Sequence, residues 1–231
     1  MQARISIVIG LAVLFALNFP AQSAAVDQFT PKVGEPVKLW HHAIQDGHMD
    51  QARDVFLNTL IPRLRVDNIT NDTYFLVNEK RNEILAVSFW RQTDFNVNPH
   101  ASAEDEGMKD HSSQPKRKVD YKLVLINDEG LVPQEGDKVV VISRKVKPGK
   151  MEDAKRNLRE VIFPPLAKDE FTRNGYVLEN TAENELVSLI FLRGDFKVTP
   201  ELAAQKDKHV KPHLSEPEKT TEYTLFGINK E

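Results

Sequence analysis

Apolar and β-branched runs alternate with stretches of helical periodicity along the first half of the chain. Four runs have the composition of strands and are flanked by turn residues; they are 37–44, 74–78, 84–91 and 121–126. Between the first two runs, Met49, Ala52, Phe56 and Leu60 recur at steps of three and four, which predicts a helix that Pro62 ends. A second helix is expected after residue 98, where asparagine and then proline stand at its start. The predicted order is βαββαβ.

The second half of the chain repeats the first at an offset of 102 residues. Over positions 37–91, 15 of 55 residues are identical to those found 102 positions later. After a one-residue slip the match resumes, and it places Tyr121 on Tyr223. Because a repeat of this size lets each copy check the other, we predict two domains, 36–129 and 138–231, joined by a linker that contains two glycines and one proline.

The βαββαβ order is typical of a ferredoxin-like, split-βαβ sheet that carries both of its helices on one face. A single sheet of this kind leaves its other face unburied, and a second copy in the same chain can cover that face. The sequence therefore predicts an α+β fold class, made of two tandem βαββαβ ferredoxin-like repeats.

Three short motifs support a family resemblance. Lys147-Pro148-Gly149-Lys150 ends a strand, Asn174-Gly175-Tyr176 enters the next hairpin, and Phe89-Trp90 through Asp94-Phe95 closes a third strand with aromatic and acidic residues. With the amphipathic helix between them, these motifs resemble the dimeric α+β barrel superfamily, and within it the antibiotic-biosynthesis monooxygenase-like domains. The resemblance covers nearly all of both repeats. It implies that two sheets close a barrel with the helices outside, here as a pseudo-dimeric α+β barrel within one chain.

The resemblance also implies an activity. It points to a cofactor-independent oxygenase of aromatic substrates or to a haem-degrading relative, either of which would use the barrel cavity as a dry pocket. Haem-degrading members carry an asparagine on the first strand and a tryptophan and a histidine on the second helix. Here His41 or His42 stands on that strand, and only His111 is available near that helix. No cofactor is therefore expected, with haem as the open alternative.

A non-catalytic module is the alternative to an enzyme. In that case the tandem barrel would bind a ligand or another protein, as a stress-related module does, and the duplication would only fix the two sheets in one chain. The expected partner is a small, aromatic or hydrophobic molecule, and the expected further assembly is a homodimer. An apolar cavity that holds both tryptophans and one titratable histidine would favour the enzyme.

Residues present in only one repeat indicate where a specialised site lies. Both tryptophans, Trp40 and Trp90, belong to the first repeat, and Ile142 and Leu192 stand at the equivalent positions of the second. Five of the seven histidines also belong to the first repeat; they are His41, His42, His48, His100 and His111. We therefore expect the ligand-binding residues to include Trp40 and Trp90. Drift after duplication would produce the same asymmetry.

His41, His42 and His111 are the candidate catalytic residues. Because neighbours on a strand point to opposite faces, His41 and His42 cannot readily bind one metal, and only one of them faces the barrel interior. An interior histidine beside the tryptophans would be a base near neutral pH or an axial ligand of haem iron. A metal site built from His42, His100 and His111 lacks motif spacing, so no metal is expected.

Arg91 and Arg193 are the remaining candidate ligand-binding residues. They fall on equivalent positions of the two repeats and would bind an anionic ligand at pseudo-equivalent points. The alternative is that each arginine ends its strand in an ion pair with the acid that follows it, Asp94 or Asp195.

Composition narrows the range of functions. The 231 residues include no cysteine and carry a formal net charge of −3, which excludes disulfides and thiolate chemistry and disfavours nucleic acid as a partner. At the N-terminus, Arg4 precedes an uncharged run at 5–17, and Ser23-Ala24-Ala25 offers small residues for cleavage. Because the run is too short for a transmembrane helix, residues 1–25 are predicted to be a signal peptide. The mature protein would be periplasmic or secreted, without a stable membrane anchor.

Overall fold

The computed structural model describes residues 31–66, 70–91, 101–128, 132–168, 171–194 and 198–229. The predicted signal peptide, His100 and the two acids that follow Arg91 and Arg193 lie outside these residues. Within them, no helix is both long enough and apolar enough to cross a membrane.

The described residues form eight strands and six α-helices. The strands are β1 Pro36–Ala43, β2 Thr70–Asn78, β3 Glu83–Trp90, β4 Arg117–Asp128, β5 Lys138–Lys145, β6 Thr172–Asn180, β7 Glu185–Leu192 and β8 Lys219–Ile228. The helices are α1 Met49–Val55, α2 Ile61–Val66, α3 Ala101–Met108, α4 Met151–Asn157, α5 Phe163–Ala167 and α6 Pro200–His209. When α1 with α2 and α4 with α5 are each taken as one interrupted helix, both halves follow the predicted βαββαβ order.

The first helix of each repeat runs through its proline. A π-helical turn, Phe56–Leu60 in the first repeat and Leu158–Ile162 in the second, connects α1 to α2 and α4 to α5. Pro62 lies inside α2, so the expectation that it ends the helix is wrong. Proline lacks an N–H group and crowds the preceding turn. The wider hydrogen-bond spacing of the π turn accommodates the proline without ending the helix.

The eight strands close into one barrel in the order β1-β3-β2-β8-β5-β7-β6-β4. Within each repeat the order is ferredoxin-like, and antiparallel pairing of β2 with β8 and of β4 with β6 joins the two repeats. The backbone N–H of Thr73 also donates to Oδ1 of Asn229 across this junction, at 2.7 Å. The predicted α+β fold class and the pseudo-dimeric α+β barrel are confirmed.

Apolar side chains from both repeats fill most of the barrel interior. Towards one end, the rings of Tyr74, Phe89, Tyr176 and Phe191 form a single cluster in which the closest centroids are 4.8 Å apart. The Tyr74 hydroxyl donates to Oδ2 of Asp72 at 3.0 Å. Burial raises the pKa of Tyr74 well above its usual value, so this hydroxyl keeps its proton. The cluster makes this end of the interior a packed core.

A second apolar layer separates the barrel from the helices of the first repeat. Phe56 packs on Phe75 of β2 and on Phe226 of β8, with ring centroids 5.2 and 6.2 Å away. The helix layer of the first repeat therefore rests partly on a strand of the second. Gly227 permits the approach, because a Cβ at that position would lie 2.7 Å from Cδ1 of Ile61.

Candidate functional site

Alternation along β1 assigns the candidate residues to two faces of the barrel wall. Val37 and Leu39 belong to the interior core, so His41 points to the interior as well. Trp40 packs in the cluster on the helix side, and His42 shares that outer face. The tryptophans therefore lie outside the barrel. The expectation that the barrel cavity holds them beside an interior histidine is wrong.

Both tryptophans line one cleft between the sheet and the helices of the first repeat. As folded, the cleft encloses about 30 Å³, and the value rises to about 420 Å³ only when the open space at its mouth is included. Its apolar wall consists of Trp40, Trp90, Phe56, Leu60, Leu64, Phe75 and Ala86. The polar side chains in the wall are Thr70, Thr73, Ser88 and Glu104. An apolar concavity with a few polar groups is the common form of a small-molecule site, although this one is narrow as folded.

Trp90 contributes a polar atom that the described residues leave without a partner. The residue is only 3% exposed, and its Nε1 is buried without a hydrogen bond to any described residue. By contrast, the nearby hydroxyls of Thr73 and Ser88 satisfy each other at 3.2 Å. Because buried donors are nearly always paired, the indole N–H marks a place for an acceptor atom from water or from a ligand.

Glu104 ties α3 to the sheet beside the cleft. Its Oε1 lies 3.1 Å from Nε2 of His42, and its Oε2 lies 3.3 Å from Nζ of Lys116. Lys116 also lies 2.6 Å from Oδ1 of Asp105. Neither His42 Nε2 nor Lys116 Nζ has the alignment of a hydrogen bond, and the ammonium of Lys116 attracts the two carboxylates electrostatically. Displacement of α3 would open the cleft, because Glu104 lines it.

Lys38 also belongs to this outer face, although the sequence did not lead us to expect a buried lysine there. The residue is 1% exposed, and its Nζ lies 3.8 Å from the centroid of the Trp90 ring. Burial, and after it the charge of Lys118, lowers the pKa of Lys38 to about 8. The second repeat has Val140 at this position. A lysine inside an apolar strand, where the repeat has valine, is the sequence feature that would have identified it.

Replacing Lys38 by methionine is expected to stabilise the protein most below pH 8. The folded protein lowers the pKa of this lysine from 10.5 to about 8, so below pH 8 the charged form opposes folding. Between these two values the unfolded chain binds more protons, and the stability of the wild type rises with pH. The gain in Tm from the substitution should therefore shrink as the pH rises through this interval. The exposed Lys122 is the matched control, and an equal gain at every pH would contradict the prediction.

His111 lies away from the tryptophan cleft. Its Nδ1 is 3.1 Å from Nδ1 of His48, which precedes α1. The structure therefore separates His41, His42 and His111 into three environments: the barrel interior, the outer face beside Glu104, and the start of α1. Among the described residues, no group of three or more histidines and acids is arranged to hold a metal ion.

The two arginines do not form equivalent binding points. Arg91 donates from Nε to Oδ1 of Asn71 at 2.9 Å, and Asn71 in turn donates to Oε2 of Glu35 at 2.8 Å. Arg193 is exposed. Neither arginine lines the tryptophan cleft, so the structure does not bring them together with Trp40 and Trp90.

The cleft does not fit haem as it is folded. Haem needs an axial ligand and room for a flat macrocycle. His42 is the histidine on this face, but it is 1% exposed and its Nε2 points at Glu104. The space between Trp40 and Trp90 is narrow. The cleft therefore provides neither a free axial ligand nor the room for haem.

Solved structures of low sequence identity share the fold. A candidate monooxygenase from Fusobacterium nucleatum subsp. nucleatum superposes with a TM-score of 0.67 at 10% identity, over 85% of this chain and 94% of that chain. An anthrone oxidase-like protein gives 0.61 at 11% identity, over 85% and 93%. A candidate chlorite dismutase gives 0.55 at 8% identity, over 83% and 95%. No family model and no curated protein matches the sequence.

These matches agree with the architecture that the sequence resemblance implies. At identities this low they establish the shared fold, a ferredoxin-like α+β barrel, over most of the chain. They do not transfer a substrate or a reaction. The chemistry of the cleft is therefore the basis for a function.

Proposed function

We propose that the protein binds a small aromatic or hydrophobic molecule in the cleft between Trp40 and Trp90. The buried and unpartnered indole N–H of Trp90 in the cleft wall carries this proposal. A planar ring with one oxygen acceptor would pack against the tryptophans and accept that hydrogen bond. The ligand would thereby satisfy a donor that costs stability when it is left unpaired.

The second repeat supports a single site in the first. Ile142 and Leu192 replace the two tryptophans there. Gly175 stands at the position of Thr73, and a Cβ added to it would lie 2.9 Å from Cε1 of Phe163. The Phe163 ring therefore rests directly on the strand, in space that the first repeat leaves to the cleft.

Ligand entry requires α3 to move, because the cleft is narrow as folded. Three polar contacts hold α3: Glu104 with His42, Glu104 with Lys116, and Asp105 with Lys116. Asp105 is exposed, so its ion pair contributes little. The contacts of Glu104 are buried, and we assign to them the closure of the cleft.

We propose in addition that the protein oxidises the bound molecule. The likeness to a candidate monooxygenase and to an anthrone oxidase-like protein supports it. The structure contributes an apolar cleft that excludes water around a phenol-type or quinol-type ring. Anthrone is therefore the probe of choice, because binding and oxygen uptake can be measured with the same compound.

Titration with anthrone is expected to change the tryptophan fluorescence in a saturable way. The chain contains only two tryptophans, and both line the cleft, so the whole signal reports on the proposed site. Trp90→Leu, which installs the residue of the second repeat, should weaken binding about tenfold through the lost hydrogen bond and ring contact, with Trp40 as the remaining reporter.

Leu192→Met is the matched control at the equivalent position of the second repeat, and it should leave the titration unchanged. Absence of a saturable change in the wild type would refute the binding function. Binding without oxygen uptake would remove only the oxidation step. Haemin is run in parallel on His41→Gln, which removes the histidine of the barrel interior, and no change in its absorbance spectrum is expected, because the cleft offers it no axial ligand.

A further inference from the structure

The barrel interior opens at one end into a cavity that is much larger than the tryptophan cleft. The volume of this cavity is about 2170 Å³ when the open space at its mouth is included. Its floor is apolar and consists of Leu39, Val119, Val141 and Val187. None of its lining residues also lines the tryptophan cleft, because side chains alternate across the strands. We call this cavity the barrel mouth.

A histidine and a glutamate form a fixed pair in the barrel mouth. Nδ1 of His41 lies 2.7 Å from Oε1 of Glu83. Burial raises the pKa of Glu83, but the hydrogen bonds from His41 and Tyr223 outweigh it and hold the pKa below 4.5. The carboxylate therefore orients the imidazole, and the other ring nitrogen of His41 has no hydrogen-bond partner among the described residues.

Arg117 of β4 stands opposite His41 in the pairing of β1 with β4. Its guanidinium lines the barrel mouth and acts electrostatically on both Tyr121 and Tyr223. In the described part of the chain it forms no ion pair. Lys219 occupies the same position in the second repeat. The mouth thus keeps a cation at this point in both repeats.

Two other cations of the mouth, Lys118 and Lys145, are paired with acids that line it. Lys118 lies 3.2 Å from Asp120, and Lys145 lies 3.3 Å from Glu183 and 3.7 Å from Glu185. Arg81 donates to Oγ1 of Thr221 at 2.9 Å, and Lys219 lies 3.8 Å from Glu216. These contacts leave the guanidinium of Arg117 available. A guanidinium binds a carboxylate through two parallel hydrogen bonds, and an imidazole beside it supplies a third donor when protonated.

We propose that the barrel mouth is a second site, independent of the tryptophan cleft, and that it binds a small organic carboxylate with an apolar body. The guanidinium of Arg117 holds the carboxylate, and the free ring nitrogen of His41 adds a donor when the imidazole is protonated. The apolar body lies on the floor between Leu39 and Val141. Glu83 acts as a positioning residue, because it fixes the ring of His41 and does not touch the ligand.

Benzoate is the probe, and its binding is followed by NMR through the imidazole resonances of His41. The variant His41→Gln lacks these resonances and so identifies them in the spectrum. In the wild type, the chemical shifts of these resonances should change with benzoate concentration until the site is saturated. Arg117→Gln should weaken binding about tenfold, since it removes a charge-assisted contact. Arg117→Lys should bind with intermediate affinity, because it keeps the charge and loses the paired geometry. Near-ultraviolet circular dichroism checks that each variant is folded.

Trp90→Leu separates this proposal from the function proposed for the cleft. It should leave benzoate binding at the barrel mouth unchanged. The absence of a saturable shift of His41, or equal affinity in the wild type and in Arg117→Gln, would overturn the proposal. Loss of the shift in Trp90→Leu would do the same, because it would place benzoate in the cleft.

Discussion

Replacing Glu218 by lysine is expected to destabilise the protein by about 3–5 kcal/mol, as the breaking of a buried ion pair does. Arg144 of β5 is 2% exposed, and its Nε donates to Oε2 of Glu218 at 3.1 Å. Nη1 of the same arginine donates to Oγ of Ser188 at 2.7 Å. Lys206 of α6 reaches the other oxygen of Glu218 at 2.6 Å. The substitution would leave a buried guanidinium facing a second cation.

The free energy of unfolding in urea measures this effect. Glu216→Lys is the matched control, because Glu216 is exposed and its nearest cation, Lys219, is 3.8 Å away. A change within about 0.5 kcal/mol is expected for it. A loss in Glu218→Lys no larger than in this control would contradict the prediction.

The first repeat indicates how the lost stability can be restored. Glu104 on α3 occupies the position of Lys206, and Lys116 occupies the position of Glu218, so the two repeats carry the same ion pair with opposite polarity. In both, the basic side chain on the first strand, His42 or Arg144, contacts whichever residue is the acid. The double variant Lys206→Glu with Glu218→Lys is therefore expected to recover most of the loss. If it is no more stable than Glu218→Lys alone, the two arrangements are not equivalent.

Acid sensitivity follows from the same ion pair. Burial raises the pKa of Glu218, but the charges of Arg144 and Lys206 outweigh it, and the folded-state pKa lies below 4.5. A carboxyl with a lowered pKa contributes stability that is complete above its unfolded value and is lost as the pH falls through its folded value. The unfolding midpoint of the wild type should therefore fall in acid below pH 4.5, and this fall should be smaller in Glu218→Lys, which removes the carboxyl.

The repeat made the architecture predictable from the sequence. Which face of each strand points into the barrel was not predictable. A match at 102 residues fixes two βαββαβ units, and burial of the open sheet face then requires the barrel. The side chains of β1 do not reveal which face is inside, because Val37, Lys38 and Leu39 are all buried. A strand that is covered on both faces loses the alternation that would assign them. The placement of Trp40 outside the barrel and of His41 inside it therefore required the structure.

Two other features escaped prediction for local physical reasons. A proline at position 62 would end an ordinary α-helix. Here the π turn at Phe56–Leu60 changes the hydrogen-bond spacing before the proline, and the helix continues through it. Lys38 reads as a surface residue in a sequence, since lysine is almost never fully buried. Its burial under Trp90 depends on the pairing of β1 with β3, and the one sequence feature that indicates it is Val140 at the same position of the second repeat.

Alanine at Phe89 or at Phe191 is expected to cost about 3–5 kcal/mol, because each ring is fully buried. The Phe89 ring lies 4.8 Å from that of Tyr176 in the other repeat. The Phe191 ring lies 4.8 Å from that of Tyr74. Each phenylalanine is farther from the tyrosine of its own repeat, at 6.1 and 6.0 Å. The cluster therefore joins the repeats more closely than it packs either repeat alone.

This cross-packing predicts that the two repeats unfold as one unit. Both tryptophans belong to the first repeat, so fluorescence follows that repeat alone, while far-ultraviolet circular dichroism follows both. Phe191→Ala lies in the second repeat and should nevertheless shift the fluorescence transition as far as Phe89→Ala does. Leu57→Ala, at an exposed position of the first helix, is the control and should shift it little. If Phe191→Ala moved the dichroism transition and left the fluorescence transition in place, the repeats would be separate cooperative units and the shared strand pairing would not couple them.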